Sequence, residues 1–410
     1  MKRWLGQARK LALYVAIPGV SAVTPLLVYP AVTTRFGAEG LAAVGIAQSI
    51  GIAFMTVSEL GWSVLGPQRI GRATPEQRRG LYDSALATRL AASALLAPIA
   101  AVVAYFLATD HQPAAALLAA GFTLNALSPS WYLVGENKPL TILLVESLPR
   151  LALYVIAAAL ILAGSDLMLY GIAVGGAALL SPVLFAAFRR RAPWPSRSAF
   201  RTGVSVIRSQ LPVTGGRAIS VLYTSFPIAL VGIVSPASVA VFTAAERLMR
   251  MGLGIVGAVP SRLQSWIGAV EGADLIKRSR MSLLFNTILG LVCGIIFVLA
   301  APIAAQFIFS NSVEITLPLA VGGGCVIAAV CTSRGFGLSL VAEGAPNGIA
   351  LANVGAAVTG VSVILIAARS LGAVGGFIGE LASELVGIAI QAGALLRKRP
   401  GSARPSGSDA

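Results

Sequence analysis

Eight arginines fall within or at the edges of long apolar runs in this chain: Arg89, Arg150, Arg208, Arg217, Arg247, Arg250, Arg262 and Arg334. A guanidinium stays charged and offers five N–H donors in a planar fork, so it can hold two phosphate oxygens at once. Counting about 1.5 Å per residue from the ends of the runs puts Arg89, Arg208, Arg262 and Arg334 near one end, where long side chains snorkel to water. Arg150, Arg217, Arg247 and Arg250 fall nearer the middle. A central arginine costs about 2.5–3.5 kcal/mol in hydrocarbon, so four facing lipid would cost on the order of 10 kcal/mol. They are expected to face a polar interior.

The nearby carboxylates decide what these cations are free to do. Glu146 and Arg150 are spaced i,i+4, as are Glu246 and Arg250, so each pair shares a helical face and partly neutralises itself. Glu380 and Glu384 also share a face. Pairing between helices explains such groups as readily as a ligand does. Local pairing nevertheless leaves Arg217 and Arg247 without partners, and surplus cations inside a membrane point to an anionic ligand. Glu59, Glu146 and Glu246 are candidates for ion coupling or for charge pairing. Catalytic chemistry has no comparable support: the single histidine, His111, falls at a turn, and Cys293, Cys325 and Cys331 lie in apolar runs without ligand spacing. No enzyme activity, cofactor or metal is expected.

The elements that must position these residues follow from composition. Of 410 residues 56% are hydrophobic, 44 are glycine and only 11% are charged, against roughly 25% charged in a soluble protein. Mean hydropathy is +0.83. A cytosolic enzyme, a disordered chain and a secreted scaffold are excluded. The pattern is that of an all-α polytopic membrane protein, because the runs lack the alternation that barrel strands need. Spans of about 20 apolar residues are placed at 11–34, 41–66, 85–108, 114–135, 139–163, 168–188, 204–233, 237–267, 281–304, 316–341, 346–368 and 373–395. Twelve helices are expected, in two six-helix lobes around a central cationic cavity. Three prolines, Pro18, Pro25 and Pro30, punctuate the first run, and Pro212 with Gly215-Gly216 precedes Arg217; such breaks suit helices that line a cavity. Gly171-x-x-x-Gly175 and Gly290-x-x-x-Gly294 suit close helix packing.

The net charge of +15, from 31 Lys and Arg against 16 Asp and Glu, sorts by position. Alternate breaks carry the cations: Lys2 to Lys10, Arg69 to Arg79, Lys138, Arg189 to Arg201, Lys277 to Arg280 and Arg397 to Arg404. The other breaks carry only Arg35 and Arg369. Basic loops stay in the cytoplasm, so both termini are expected there. The first apolar run extends past the ~7–15-residue core of a signal peptide, and cleavage is not expected. The resulting organisation is a cytoplasmic N-terminus (1–10), an N-terminal lobe (11–188), a basic cytoplasmic linker (189–203), a C-terminal lobe (204–395) and a disordered cytoplasmic tail (396–410). A weak internal repeat supports two lobes. Leu41-Ala42-Ala43-Val44-Gly45-Ile46-Ala47-Gln48 aligns with Val239-Ala240-Val241-Phe242-Thr243-Ala244-Ala245-Glu246 at a constant offset of 198 residues. Six plus six helices related about the membrane normal is a transporter architecture, with the ligand between the halves.

Four segments carry a family resemblance. Tyr29-Pro30-Ala31-Val32-Thr33-Thr34-Arg35-Phe36-Gly37-Ala38-Glu39-Gly40, Ser58-Glu59-Leu60-Gly61, Ser128-Pro129-Ser130-Trp131-Tyr132-Leu133-Val134-Gly135-Glu136-Asn137-Lys138 and Phe242-Thr243-Ala244-Ala245-Glu246-Arg247-Leu248-Met249-Arg250 stand in order along residues 10 to 390. Together they resemble bacterial polysaccharide (O-antigen or exopolysaccharide) flippases. These form the polysaccharide transporter branch of the multidrug/oligosaccharidyl-lipid/polysaccharide exporter superfamily. The resemblance implies a V-shaped bundle in the bacterial inner membrane that moves polyprenyl-diphosphate-linked oligosaccharide from the cytoplasmic to the outer leaflet. It also implies Arg217, Arg247 and Arg250 as diphosphate or sugar contacts, with Arg150 a further cavity candidate from its depth. The partners implied are the lipid-linked oligosaccharide, membrane lipids and a polysaccharide polymerase or glycosyltransferases; nucleic acid is not among them. Family members often have fourteen helices, and this chain departs from them in stopping at twelve. Two alternatives stay open: a small-molecule secondary exporter of the same superfamily, and a non-transporting scaffold of a polysaccharide synthesis complex.

Overall fold

A computed structural model describes residues 24–190, 195, 197–256, 263, 266, 267, 270, 272–345 and 347–397; at 25, 26, 197, 198, 209–214, 216–218, 222, 223 and 255 it describes the backbone alone. The helices are α1 (Tyr29–Ser58), α2 (Trp62–Arg72), α3 (Pro75–Leu107), α4 (Gln112–Leu124), α5 (Ser130–Gly135), α6 (Pro139–Leu162), α7 (Met168–Phe188), α8 (Arg197–Thr224), α9 (Pro227–Val234), α10 (Val239–Val256), α11 (Gly272–Ile308), α12 (Leu317–Ala342) and α13 (Asn347–Arg397). Among the described residues, seven helices are long and apolar enough to cross a membrane: α1, α3, α6, α7, α11, α12 and α13. This is a multi-pass membrane protein.

That count differs from the twelve spans expected, for identifiable reasons. A straight α13 of 51 residues would measure roughly 77 Å against a hydrocarbon core of roughly 30 Å. It instead folds back at Gly372 (φ 54°, ψ −129°), so that Ser383 Oγ reaches the carbonyl of Ala356. The same turn occurs in α1 at Gly37 (φ 60°, ψ −152°). Side chains disfavour this backbone region, whereas glycine enters it freely. Other expected spans are broken. Run 114–135 becomes α4, a 3-10 turn (Asn125–Leu127) and α5, and run 41–66 breaks at Leu60 and Gly61, both with positive φ. Run 204–233 is split into α8 and α9 at Ser225 and Phe226. Most of the first span, residues 257–262 and the tail from Lys398 lie outside the described residues.

Packing inside each half rests on small residues. A Cβ on Gly294 would sit 2.5 Å from the carbonyl oxygen of Gly324, so α11 and α12 touch backbone to backbone. In the first half a Cβ on Gly121 would lie 2.9 Å from the amide of Gly175, so the Gly171-x-x-x-Gly175 motif acts in packing. Thr74 starts α3 with a capping box, its hydroxyl accepting from Gln77 N and Gln77 Oε1 accepting from Thr74 N. That helix start also holds the exposed carboxyl of Glu76 below the usual carboxylate range, through its backbone N–H and the Thr74 hydroxyl.

The basic end of the first half is closed by Trp62, Tyr82, Trp131, Tyr132 and Phe185, whose paired rings lie 4.9–6.4 Å apart. Arg189 stands over Tyr132 and Phe185 and bonds Glu136, which also reaches Lys138 at 3.3 Å.

Candidate functional site at the seam between the halves

Helix α1 lies at the centre. It packs against α3, α4 and α6 of the first half and against α8, α9 and α10 of the second. At the end bearing the Gly37 and Gly372 turns, the halves meet through hydroxyls. Thr34 Oγ1 donates to Ser310 Oγ at 3.0 Å, Ser312 Oγ donates to the carbonyl of Thr33 at 3.1 Å, and Tyr29 lies 5.8 Å from Phe309. Deeper in, Ser49 Oγ donates to the carbonyl of Ser225. A Cβ on Gly45 would come within 2.6 Å of Thr243 Cγ2. Gly45 and Thr243 are the two positions that the 198-residue offset equates, and contact between equivalent residues is the signature of a two-fold axis. At the basic end the halves also touch, where Gly203 of α8 lies against Ser84 and Thr88 of α3.

One turn below Gly45 and Thr243 sit Gln48 and Glu246, also equated by the repeat. Gln48 Oε1 accepts from Tyr29 Oη at 2.9 Å. Glu246, buried, is shared: Arg250 Nε donates to its Oε1 at 2.8 Å, and Arg247 Nη1 stands 3.6 Å from its Oε2. Arg250 then bridges to α13, its Nη2 3.4 Å from Glu380 Oε1. A water-sized space of about 10 Å³ adjoins this bridge, lined by Thr224, Arg250, Glu380, Ser383 and Glu384 together with two valines. Arg247 lies in electrostatic reach of Tyr29 and Tyr170, and Arg150 of Tyr154. Tyr154 and Tyr170 stack edge to face at 5.4 Å.

The first half contributes a second polar cluster. Arg150 Nη2 donates to Glu146 Oε1 at 2.8 Å and to Asn125 Oδ1 at 3.2 Å. Glu146 Oε2 accepts from Ser128 Oγ at 2.5 Å, and the carbonyl of Ser128 accepts from Arg89 Nη1 at 3.1 Å. Glu59, at the break after α1, accepts from Ser63 Oγ. The π-helical turn Leu143–Ser147 sets Glu146 beneath Ser128.

Several expectations change here. Arg89 does not snorkel: it is 3% exposed, with its guanidinium 6.0 Å from the Trp131 ring. Arg247 does not lack a partner, because Glu246 offers it a second oxygen. Glu380, on a distant helix, balances Arg250, so among the described residues the second-half cluster carries no plain surplus of cations. The side chain of Arg217 and all of Arg262 lie outside the described residues. Arg150, Arg247 and Arg250 retain partial exposure and unused donors, among them Nε of Arg150 and Arg247. Sequence reasoning missed Tyr29, Gln48, Tyr154 and Tyr170, which join the two clusters. The offset pairing Gln48 with Glu246 was the available signal.

This arrangement of helices is that of multidrug and toxin extrusion transporters. An inward-facing structure of a multidrug-resistance MATE transporter of the MOP superfamily superposes with a TM-score of 0.70 at 18% identity, covering 94% of this chain and 97% of that one. An outward-facing structure of a MATE transporter matches at TM-score 0.53 and 16% identity, over 95% and 94%. A MOP-superfamily transporter from Pyrococcus furiosus, whose reversed pocket polarity was taken to suggest a different function, matches at TM-score 0.56 and 17% identity, over 95% and 94%. No curated protein sequence matches the chain. Residues 8–262 match the model of the polysaccharide biosynthesis protein family, and the chain belongs to that family.

Proposed function

We propose that the protein is a flippase that carries polyprenyl-diphosphate-linked oligosaccharide across the bacterial inner membrane, from the cytoplasmic to the outer leaflet, for surface polysaccharide synthesis. The observation that carries this reading is the match to the polysaccharide biosynthesis family on a MATE-type transporter fold. A diphosphate headgroup cannot cross hydrocarbon unaided. Arginine donors between two lobes would replace its hydration while the prenyl tail stays in lipid, and alternation of the lobes would move the opening from one face to the other. In this reading the lobes are 11–188 and 204–395, joined by the basic linker 189–203, with both termini cytoplasmic. Arg150, Arg217, Arg247 and Arg250 supply the contacts. Arg247 and Arg150 suit a diphosphate best, since each is partly exposed and faces a single carboxylate partner. Glu146 holds Arg150 in place and Glu246 holds Arg247 and Arg250; together with Glu59 they are the candidates for coupling to an ion. A polymerase or glycosyltransferases would receive or supply the glycan.

The test replaces Arg247 and Arg217 together with glutamine. Glu246 keeps Arg250 in that variant, so the fold is expected to persist. Surface polysaccharide should fall at least tenfold, with lipid-linked oligosaccharide accumulating inside. Normal export by a variant that reaches the membrane would refute the reading, and a scaffold role would then stand. Loss of drug efflux without change in polysaccharide would favour the small-molecule exporter that the MATE neighbours suggest.

A further inference from the structure

The start of α11 carries a feature that transport between the lobes does not use. Ala273, Ile276, Lys277, Arg280, Met281 and Leu284 line an open groove of about 430 Å³. Their spacing of three and four residues puts them on one helical face. Below the two cations the face is apolar and unpartnered: Met281, Leu284, Ile288 and Leu291 are 52–60% exposed. From Met281 to Leu291 the helix rises about 15 Å, which is one leaflet of a hydrocarbon core roughly 30 Å thick.

The depth of the cations is marked independently. Arg278, between them in sequence, donates from Nη1 to the carbonyl of Trp266 at 2.7 Å and lies 4.9 Å above the Trp266 ring. Trp266 is itself 37% exposed, and exposed tryptophans concentrate at the level of lipid headgroups. Lys277 and Arg280 therefore stand at the headgroup level with a leaflet-long apolar stripe directly beneath. Among the described residues no carboxylate is bonded to either.

We propose that this face binds one anionic phospholipid of the leaflet on the basic side. Its phosphate lies between Lys277 and Arg280, and an acyl chain runs along Met281, Leu284, Ile288 and Leu291. Two cations with free donors select a negative headgroup over a zwitterionic one, and the stripe selects a lipid over a free anion.

The experiment measures phospholipid retention by the full-length protein in nanodiscs of phosphatidylglycerol and phosphatidylcholine, with native mass spectrometry as the readout. The protein should retain one phosphatidylglycerol in preference to phosphatidylcholine. Lys277→Gln with Arg280→Gln should weaken that retention about thirtyfold, at roughly fivefold per charge near a membrane surface. Leu284→Ser should weaken it with both charges present. Both cations are exposed, so the charge variants are expected to fold. Arg79→Gln, another exposed cation of the basic end, should change nothing. The proposal is overturned if the double variant retains the lipid as the parent does, if Arg79→Gln lowers retention equally, or if inorganic phosphate displaces the lipid.

Discussion

Replacing Gly45 with alanine tests the seam between the halves directly. A Cβ there would lie 2.9 Å from Thr243 Cβ and 2.6 Å from its Cγ2, and closer still to its hydroxyl. Rotating Thr243 about χ1 can turn Oγ1 and Cγ2 aside but leaves the two Cβ atoms at 2.9 Å, several tenths of an ångström inside ordinary contact. Thr243 is fully buried, so its displaced methyl has no free space. Overpacking of this kind costs about 1–3 kcal/mol. The strain bears only on the state in which the halves meet here, so it should shift the balance toward separation at the glycine-turn end by about 5–150-fold. Spin labels at Glu39 and Asn311, on either side of the hydroxyl contacts, would report the change as a growing long-distance population. Thr243→Gly in the Gly45→Ala background should restore the short distance. An unchanged distance distribution in Gly45→Ala, with the fold intact, would refute the claim that these residues set the closure.

Three further perturbations separate competing accounts of single residues. Arg89→Ala should destabilise the protein by about 2–5 kcal/mol, since it leaves a cavity beside Trp131 and an unpaired Ser128 carbonyl. Arg79→Ala, at an exposed ion pair, should stay within about 0.5 kcal/mol in the same melting assay, and equal effects would restore the snorkelling account of Arg89. Arg250→Ala strands Glu380 without a cation and should cost less than the roughly 3–5 kcal/mol of a fully buried pair, because Arg250 is 30% exposed. Arg247→Gln, which leaves Glu246 bonded to Arg250, should melt close to the parent. Gly372→Ala should lower stability more than Gly37→Ala: both meet backbone strain of roughly 1–3 kcal/mol, but only at Gly372 would the new Cβ lie 2.5 Å from Ser238 Oγ. Adding Ser238→Ala should bring Gly372→Ala back to the level of Gly37→Ala.

Composition and the spacing of apolar runs determine the class of this protein, because a backbone in hydrocarbon must satisfy its own hydrogen bonds and helices do so locally. The i,i+4 pairs Glu146/Arg150 and Glu246/Arg250 were equally legible, since such pairs depend only on the pitch of one helix. The offset repeat marked Gly45 and Thr243 as equivalent before their contact was known. Tertiary structure alone decided the rest. The partner of Arg250 is 130 residues away, and no local pattern ties Glu380 to it. Arg89 reads as a snorkelling cation by distance from the helix end, yet the aromatic cluster built from α2, α3, α5 and α7 covers it. The local charge of a site between helices depends on which faces meet, and a periodicity of 3.6 residues describes each face but not its neighbour.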